Sequence, residues 1–392
     1  MQWPVPFISR VRLKNYKSIA ECDVRLGPLT VLVGPNGAGK SNFLDALRFV
    51  MEAVATTPAQ AITARGSIGQ ILHRSPERAH FFSVDLEVTV PWGPTPEQWA
   101  QGRYGFTVVP SIRTGYRPFF IGREYCELTW EDRGDGFNVD SGEVSDSKSP
   151  ATETEIELDR LYLPVAAART DLAPLYAALS GMYFYDPDPS VLRSLRPETA
   201  GEPLGPAGEY LGDVLGALDE ATRERINSYM RVVVPELVSV DRKLQGDYVT
   251  VELLTSPREG REVAFGPHAM SDGTIRATGL LAALFQPWAR NGRIRFIGIE
   301  EPELALHPAA AGALFDALTE ASEQVQVVVT TQSPDLLDRD DIDLGAVRVA
   351  GIHGGATAIG EMDAPSQEIV TRKLATVGQL LRGNQLSPRD GE

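Results

Sequence analysis

The sequence predicts an α/β fold: a mixed central sheet with flanking helices, a β-rich insertion and a helical lid subdomain. Three stretches carry that expectation. Leu29-Thr30-Val31-Leu32-Val33 is a β-branched apolar run that reads as a buried strand. It runs into the glycine-rich Gly34-Pro35-Asn36-Gly37-Ala38-Gly39-Lys40-Ser41, after which Leu44, Leu47, Met51 and Val54 recur at helical spacing on one face. Much further on, Phe296-Ile297-Gly298-Ile299 is apolar on both faces, like a central parallel strand, and ends in Glu300-Glu301.

The first of these is a complete G-x-x-x-x-G-K-S loop between a strand and a helix. Gly34, Gly37 and Gly39 allow tight turning and close backbone approach to an anion. The N–H groups of a helix start, together with the helix dipole, attract phosphate. Lys40 would lie along the β- and γ-phosphates, and Ser41 would give a hydroxyl to Mg²⁺. ATP and Mg²⁺ are therefore the expected cofactors. Asn36, Ala38 and Asn42 complete the nucleotide-contacting set.

Residues 1–92 read as the first half of an ATPase head. His80 to Val90 alternates like an edge or half-buried strand, and Pro91-Trp92-Gly93-Pro94 breaks the chain. Residues 93–160 form the β-rich insertion, with strands expected over Tyr104–Val109 and Tyr125–Trp130. Residues 131–159, rich in Asp, Glu, Gly and Ser, read as a solvated loop. Residues 161–235 form the helical arm or lid, with helical segments over 172–179 and 210–218 joined by a proline-rich connection. No sustained heptad run is present. Tyr183-Phe184-Tyr185 could stack on bases, but core packing is the more ordinary use of such a cluster.

Residues 236–392 form the second half of the head. Val249 to Leu254 reads as a strand, Gly312 to Leu318 as a helix, Val325 to Thr330 as a buried strand, Ala346 to Ile352 as a last strand and Arg372 to Leu381 as a tail helix, with frayed residues from Ser387. Within this half, Ser271 is a good N-cap for a helix from Thr274 to Phe285. Glu300 and Glu301 end a strand where α/β sheets bind ligands. Successive strand residues point to opposite faces, so Glu300 is assigned to the metal and Glu301 to the attacking water.

These residues resemble ABC-type ATPases of the SMC/RecF/OLD group, in particular small bacterial AAA-type ATPases lacking coiled-coil arm and Toprim domain. The likeness rests on Val11-Arg12-Leu13-Lys14-Asn15-Tyr16-Lys17-Ser18-Ile19, on GPNGAGKSN, on Ser271-Asp272-Gly273-Thr274 as a signature loop, on Glu300-Glu301-Pro302-Glu303-Leu304-Ala305-Leu306-His307-Pro308 as acidic strand end and D-loop, and on Val327 to Pro334 as switch strand and loop. It spans residues 7 to about 338 and is loose over 93–260. The resemblance implies a P-loop NTPase fold of ABC-ATPase type and a homodimer closed around two ATP–Mg²⁺, with Ser271 and Gly273 reaching the partner's γ-phosphate. It also implies DNA and a separate effector protein such as a nuclease as partners. Genome maintenance or phage defence would be the setting. About 50 residues follow the switch loop, too few for a Toprim nuclease of the chain's own.

Two positions depart from the family pattern. Glu300 stands where Asp is common, and Gln332 where the switch histidine is usual. A glutamine amide donates to phosphate but does not titrate, which implies slow turnover. Gln70 is the candidate for the family's metal-side Q-loop residue. Arg12, Lys14 and Lys17 are candidates for contacting nucleotide or DNA.

Composition sets the remaining bounds. A net charge of −16 argues against a broadly basic nucleic-acid-coating surface. Cys22 and Cys126 lie far apart in sequence, which suggests a reducing cytoplasm, and no 18-residue apolar stretch or cationic leader is present. His73, His80, His268, His307 and His353 do not pair with cysteines at zinc spacing. Three other readings stay open: an ATP-dependent clamp with negligible hydrolysis, a transporter ATPase subunit, and a small-molecule kinase in which the signature-like loop would have no role.

Overall fold

A computed structural model describes residues 6–74, 79–92, 98–111, 118–131, 133–146, 156–168, 171–199, 201–256 and 261–389. The chain divides into two compact units. The first comprises Met1–Met182, Asp343–Glu368 and Leu386–Glu392; the second comprises Tyr183–Ile342 and Ile369–Gln385.

In the first unit, seven antiparallel strands run in the order Ile19–Arg25, Ile8–Tyr16, Phe82–Pro91, Trp99–Pro110, Phe119–Trp130, Arg133–Asp140, Glu143–Asp146. Their burial alternates residue by residue, as it does for a sheet with one covered face. Tyr16, Phe49, Phe82 and Phe106 meet in its core with ring centroids 5.3 to 6.2 Å apart, mostly edge to face. The helix Lys40–Ala55 supplies Phe49 to this cluster and also packs against the helices Pro58–Ala64 and Ala173–Ser180. Separately, Leu29–Val33 pairs in parallel with Val347–His353, which pairs antiparallel with Ala356–Gly360.

The second unit holds a parallel trio in which Phe296–Glu300 lies between Tyr183–Tyr185 and Gln326–Thr331. Every residue of Gln326–Thr331 is buried, the run expected of a strand covered on both faces. A second sheet is built from Leu237–Gln245, Tyr248–Thr255, Val263–Phe265 and Arg196–Pro197. The helices Glu220–Val233, Asp272–Phe285 and Pro308–Ser322 pack on one another.

Several expectations are corrected here. The two contact units cut across the four segments read from the sequence, because pairing is non-local. Phe82–Pro91 bonds along its length to Trp99–Pro110, so the strands from Trp99–Pro110 to Glu143–Asp146 continue the N-terminal sheet. The span 161–235 is shared out, with Ala173–Ser180 packed on the phosphate-loop helix and Glu220–Val233 packed in the other unit. Of the two readings for His80 to Val90, edge or half-buried strand, the second holds: Phe82–Pro91 is an interior strand with one covered face.

The acidic stretch expected as a loop over 131–159 contains two strands, with Phe137 and Val139 buried between outward-facing polar residues. Its part over 147–155, and residues 93–94 of the expected chain break, lie outside the described residues. Tyr248–Thr255 belongs to the antiparallel sheet, apart from the parallel trio. Val347–His353 is not the last strand, because Gly354 and Gly355, with φ of 59° and 84°, turn the chain into Ala356–Gly360. The tail helix is two helices, Ala364–Thr371 and Val377–Arg382, and the second opens on a Thr376/Gln379 capping box. Tyr183–Tyr185 is core: Phe184 and Tyr185 are buried, and Gln286 Nε2 donates to Tyr185 Oη at 2.8 Å.

Candidate functional site: phosphate loop, acidic strand end and signature turn

The phosphate loop leaves the buried strand Leu29–Val33 at Gly34, where a Cβ would sit 2.2 Å from the Ala350 carbonyl oxygen. Gly37 and Gly39 take φ of 78° and 91°, the left-handed region that favours glycine. Gly39 is the N-cap of the helix Lys40–Ala55, and a Cβ on it would collide with Thr357 and Ser18. Those two residues brace the loop from behind. Ser18 Oγ and Thr357 Oγ1 lie 2.7 Å apart, Thr357 N–H donates to the Ser18 carbonyl at 2.8 Å, and Asn42 Nδ2 donates to Ser18 Oγ at 2.6 Å. Asn42, expected on the nucleotide, thus directs its amide to the brace.

Lys40 is buried, and its Nζ donates to the Gly34 and Pro35 carbonyls at 2.8 and 3.0 Å. The cation therefore spans the curve of the loop. Asn36, Gly37 and Ser41 are exposed, while Ala38 is buried beneath them. Ser41, in the first turn, presents a hydroxyl beside N–H groups that a helix start leaves without intrahelical acceptors.

The turn before Ser18 is held by a cluster the sequence did not announce. Asn15 and Lys17 have φ of 56° and 50°. Tyr16 Oη donates to Asp45 Oδ2 at 2.7 Å, Lys17 Nζ lies 2.6 Å from the same carboxylate, and Arg65 bonds both Asp45 and Glu52. Burial opposes charge on Asp45, yet Arg65, Lys17 and Tyr16 hold its carboxyl below the usual range. The expected basic contacts are committed elsewhere: Arg12 pairs with Asp23, Asp85 and Glu87, Lys14 with Glu21, and Lys17 with Asp45.

In the second unit, Glu300 ends its strand half-buried. Glu301 does not continue the pleat. Its φ is 44°, and its N–H donates to the Thr330 carbonyl at 2.9 Å. The two side chains are separated by this left-handed step and not by strand alternation as expected. Glu303 was missed as a site residue, although its place in the acidic run was the available signal. Its Oε1 accepts from Thr331 Oγ1 at 2.5 Å, and Thr331 Oγ1 accepts from Ser333 N–H at 3.0 Å, so one carboxylate ties the D-loop-like segment to the switch loop. Burial pushes the Glu303 carboxyl up, and the charge of Glu301 adds to this against the Thr331 hydrogen bond. Gln332 follows, half-buried. His307 caps the helix Pro308–Ser322, with Nδ1 accepting from Ala309 N–H at 3.2 Å.

Ser271 caps the helix Asp272–Phe285, and its Oγ accepts from Thr274 N–H at 3.1 Å. Gly273 has a local packing reason: a Cβ there would stand 2.2 Å from the Ala305 carbonyl oxygen of the D-loop-like segment. Arg193 fixes the turn, bonding Asp272 Oδ1 at 2.6 Å and the Met270 and Pro267 carbonyls. Gln70 is exposed on the short helix Ile68–Ile71 and accepts from Arg74 at 3.0 Å. Among the described residues no group of three His, Cys, Asp or Glu could hold a metal alone. Ser41 in the first unit and Glu300 in the second are each oxygen donors of the kind Mg²⁺ accepts.

Two families match the chain: one described as AAA ATPase domain over residues 7–173, and one described as AAA domain, putative AbiEii toxin, Type IV TA system over residues 216–338. An OLD nuclease of Thermus scotoductus is 23% identical over 361 residues, covering 84% of this chain and 60% of the nuclease. A chromosome partition protein Smc of Methanocaldococcus jannaschii is 38% identical over 84 residues, covering 21% of this chain and 7% of that protein. The chain thus spans less than two thirds of either relative. A solved Smc head, bound in its crystal to the C-terminal winged-helix domain of ScpA, superposes with a TM-score of 0.57 at 16% identity, over 93% of this chain and 99% of that one. Among the described residues no helix is long and apolar enough to cross a membrane.

Proposed function

We propose that the chain is an ATPase of the SMC/RecF/OLD type, which the matched families and the fold support, and that it binds ATP with Mg²⁺ on the 34–41 loop, hydrolyses it slowly and uses the bound state to close a homodimer. The observation that carries this reading is the loop itself: Gly37 and Gly39 in left-handed conformations, with Lys40 Nζ held across the Gly34 and Pro35 carbonyls. That arrangement sets one cation and a row of N–H groups around a space suited to phosphate.

Bound Mg²⁺ would supply charge neutralisation at the phosphates. The protein's own residues do the rest. Lys40 would hold the terminal phosphates, and Ser41 and Glu300 would give oxygen to the metal. Glu301 orients the attacking water and takes its proton. Gln332 donates an amide hydrogen to a phosphate oxygen without titrating. Ser271 and Gly273 of the partner subunit would approach the same ATP, because the Ser271 cap opens a helix whose dipole favours an anion. That one ATP meets all these groups is part of the proposal.

Nucleotide-driven dimerisation would switch a bound DNA or a separate effector protein, with DNA repair or phage defence as its setting. Steady-state phosphate release tests the enzymatic part. Wild-type protein should turn over slowly and Glu301→Gln should fall by at least tenfold; an unchanged rate would remove Glu301 from the reaction. Gln332 favours a second reading, a clamp in which binding alone is the switch. A wild-type rate indistinguishable from that of Glu301→Gln, with ATP-dependent dimerisation retained, would select it.

A further inference from the structure

The first unit contains a cavity of about 680 Å³ that no phosphate-loop residue lines. Its walls come from the strand Ile19–Arg25, from the hairpin of Val347–His353 and Ala356–Gly360, and from Pro388 and Arg389. Arg10, Arg25, Arg348 and Arg389 all face it, in a chain whose net charge is −16.

Arg348 is the informative member. The residue is only 7% exposed. Its Nε donates to the Arg25 carbonyl at 2.8 Å, and its Nη1 donates to the Gly345 and Val347 carbonyls, each at 2.8 Å. Among the described residues no carboxylate is in salt-bridge range of it, and its Nη2 makes no hydrogen bond. Burial holds its pKa below the ordinary value, against the more distant charges of Glu361 and Asp343. A guanidinium taken out of water without a counter-ion is costly. The acids that also line the cavity are engaged by other cations. Asp23 is bonded by Arg10 and Arg12, Glu21 by Lys14 at 2.9 Å, and Glu361 faces Arg389 at 3.8 Å. Arg25 has no ion pair among the described residues, and it stands directly opposite Arg10 across the antiparallel pair, an unfavourable placement of like charge.

The geometry points to an anion site here, in which Nη2 of Arg348 and the guanidinium of Arg25 bind a phosphate dianion, with Arg389 at the rim. Two guanidiniums without carboxylate partners match the charge of a phosphate monoester, and their planar forks suit its oxygens. The cavity is larger than one phosphate, so the group arrives either as inorganic phosphate or as the phosphate of a nucleoside monophosphate.

Calorimetric titration of inorganic phosphate and of AMP into the Lys40→Ala protein reads this site with the phosphate-loop cation removed. Binding of at least one probe is expected, and Arg25→Ser in the same background should weaken it at least tenfold while leaving the melting temperature unchanged. Arg25→Lys, which keeps the charge and loses the fork, should fall between the two. Tighter binding of AMP than of phosphate assigns a nucleotide; binding of phosphate alone assigns the free anion. Absence of heat with both probes in folded Lys40→Ala protein, or equal affinity in the Arg25→Ser variant, overturns the site. Either result leaves the ATP-binding proposal standing, because that proposal is measured on protein with Lys40 intact.

Discussion

Glu124 is a carboxyl 1% exposed in the interior of the first unit, and it should make the protein less stable as pH rises. It accepts hydrogen bonds from Tyr104 Oη and from the N–H groups of Tyr162 and Leu163, where the helix Leu163–Ala167 begins. Burial outweighs those three donors and lifts its pKa from 4.5 to about 7. A carboxyl whose folded pKa lies above its unfolded value keeps its proton in the native state after the unfolded chain has released it. Stability is therefore fully present below about 4.5 and is lost progressively until about 7, where the loss levels off. At 1.36 kcal/mol for each pH unit that loss amounts to ~3 kcal/mol. Glu124→Gln cannot ionise, so its fixed cost in hydrogen bonding is the same at every pH. Urea denaturation of both proteins at pH 4.5 and pH 8 isolates the carboxyl. The variant should gain ~3 kcal/mol on wild type between the two conditions. A difference that stays constant with pH would mean that the carboxyl ionises in the fold as it does in the unfolded chain, and the reasoning from burial would fail.

Three further outcomes follow from the site. Lys40→Ala should abolish measurable ATP binding, because the phosphates lose a fixed cation; micromolar affinity by calorimetry would contradict the loop assignment. Glu301→Gln with ATP and Mg²⁺ should elute from size exclusion as a dimer, and a monomer under those conditions counts against dimer closure. Gly34→Ala forces a Cβ to within 2.2 Å of a backbone carbonyl; a loss of ~3 kcal/mol by thermal melting is expected, and an unchanged melting temperature would show that the loop moves aside freely.

The phosphate loop was legible because backbone geometry dictates it. Only glycine tolerates the close approach at Gly34 and the left-handed φ of Gly39, and the lysine and serine follow at fixed offsets. The cap at Ser271 was legible for a similarly local reason. What remained hidden depends on distance in sequence. Nothing near Gly39 indicates that Thr357 will lie against it, or that Asp45 will gather Tyr16, Lys17 and Arg65. The strand Arg133–Asp140 was concealed by its composition, since two buried apolar residues set among Asp, Asn and Gly look like a solvated loop until a neighbouring strand pairs with them. Strand alternation does not describe the step from Glu300 to Glu301, because a single left-handed residue ends the pleat, and a glutamate gives no warning of that conformation.

Ser18 and Thr357 touch across 339 positions of sequence, directly behind Gly39. A ribosome must therefore release the hairpin ending at Gly360 before the brace at the N-terminus can form. Nascent chains shorter than that carry the whole G-x-x-x-x-G-K-S motif without its rear support. The rear support of the phosphate loop is thus completed only late in synthesis, long after the motif itself has emerged.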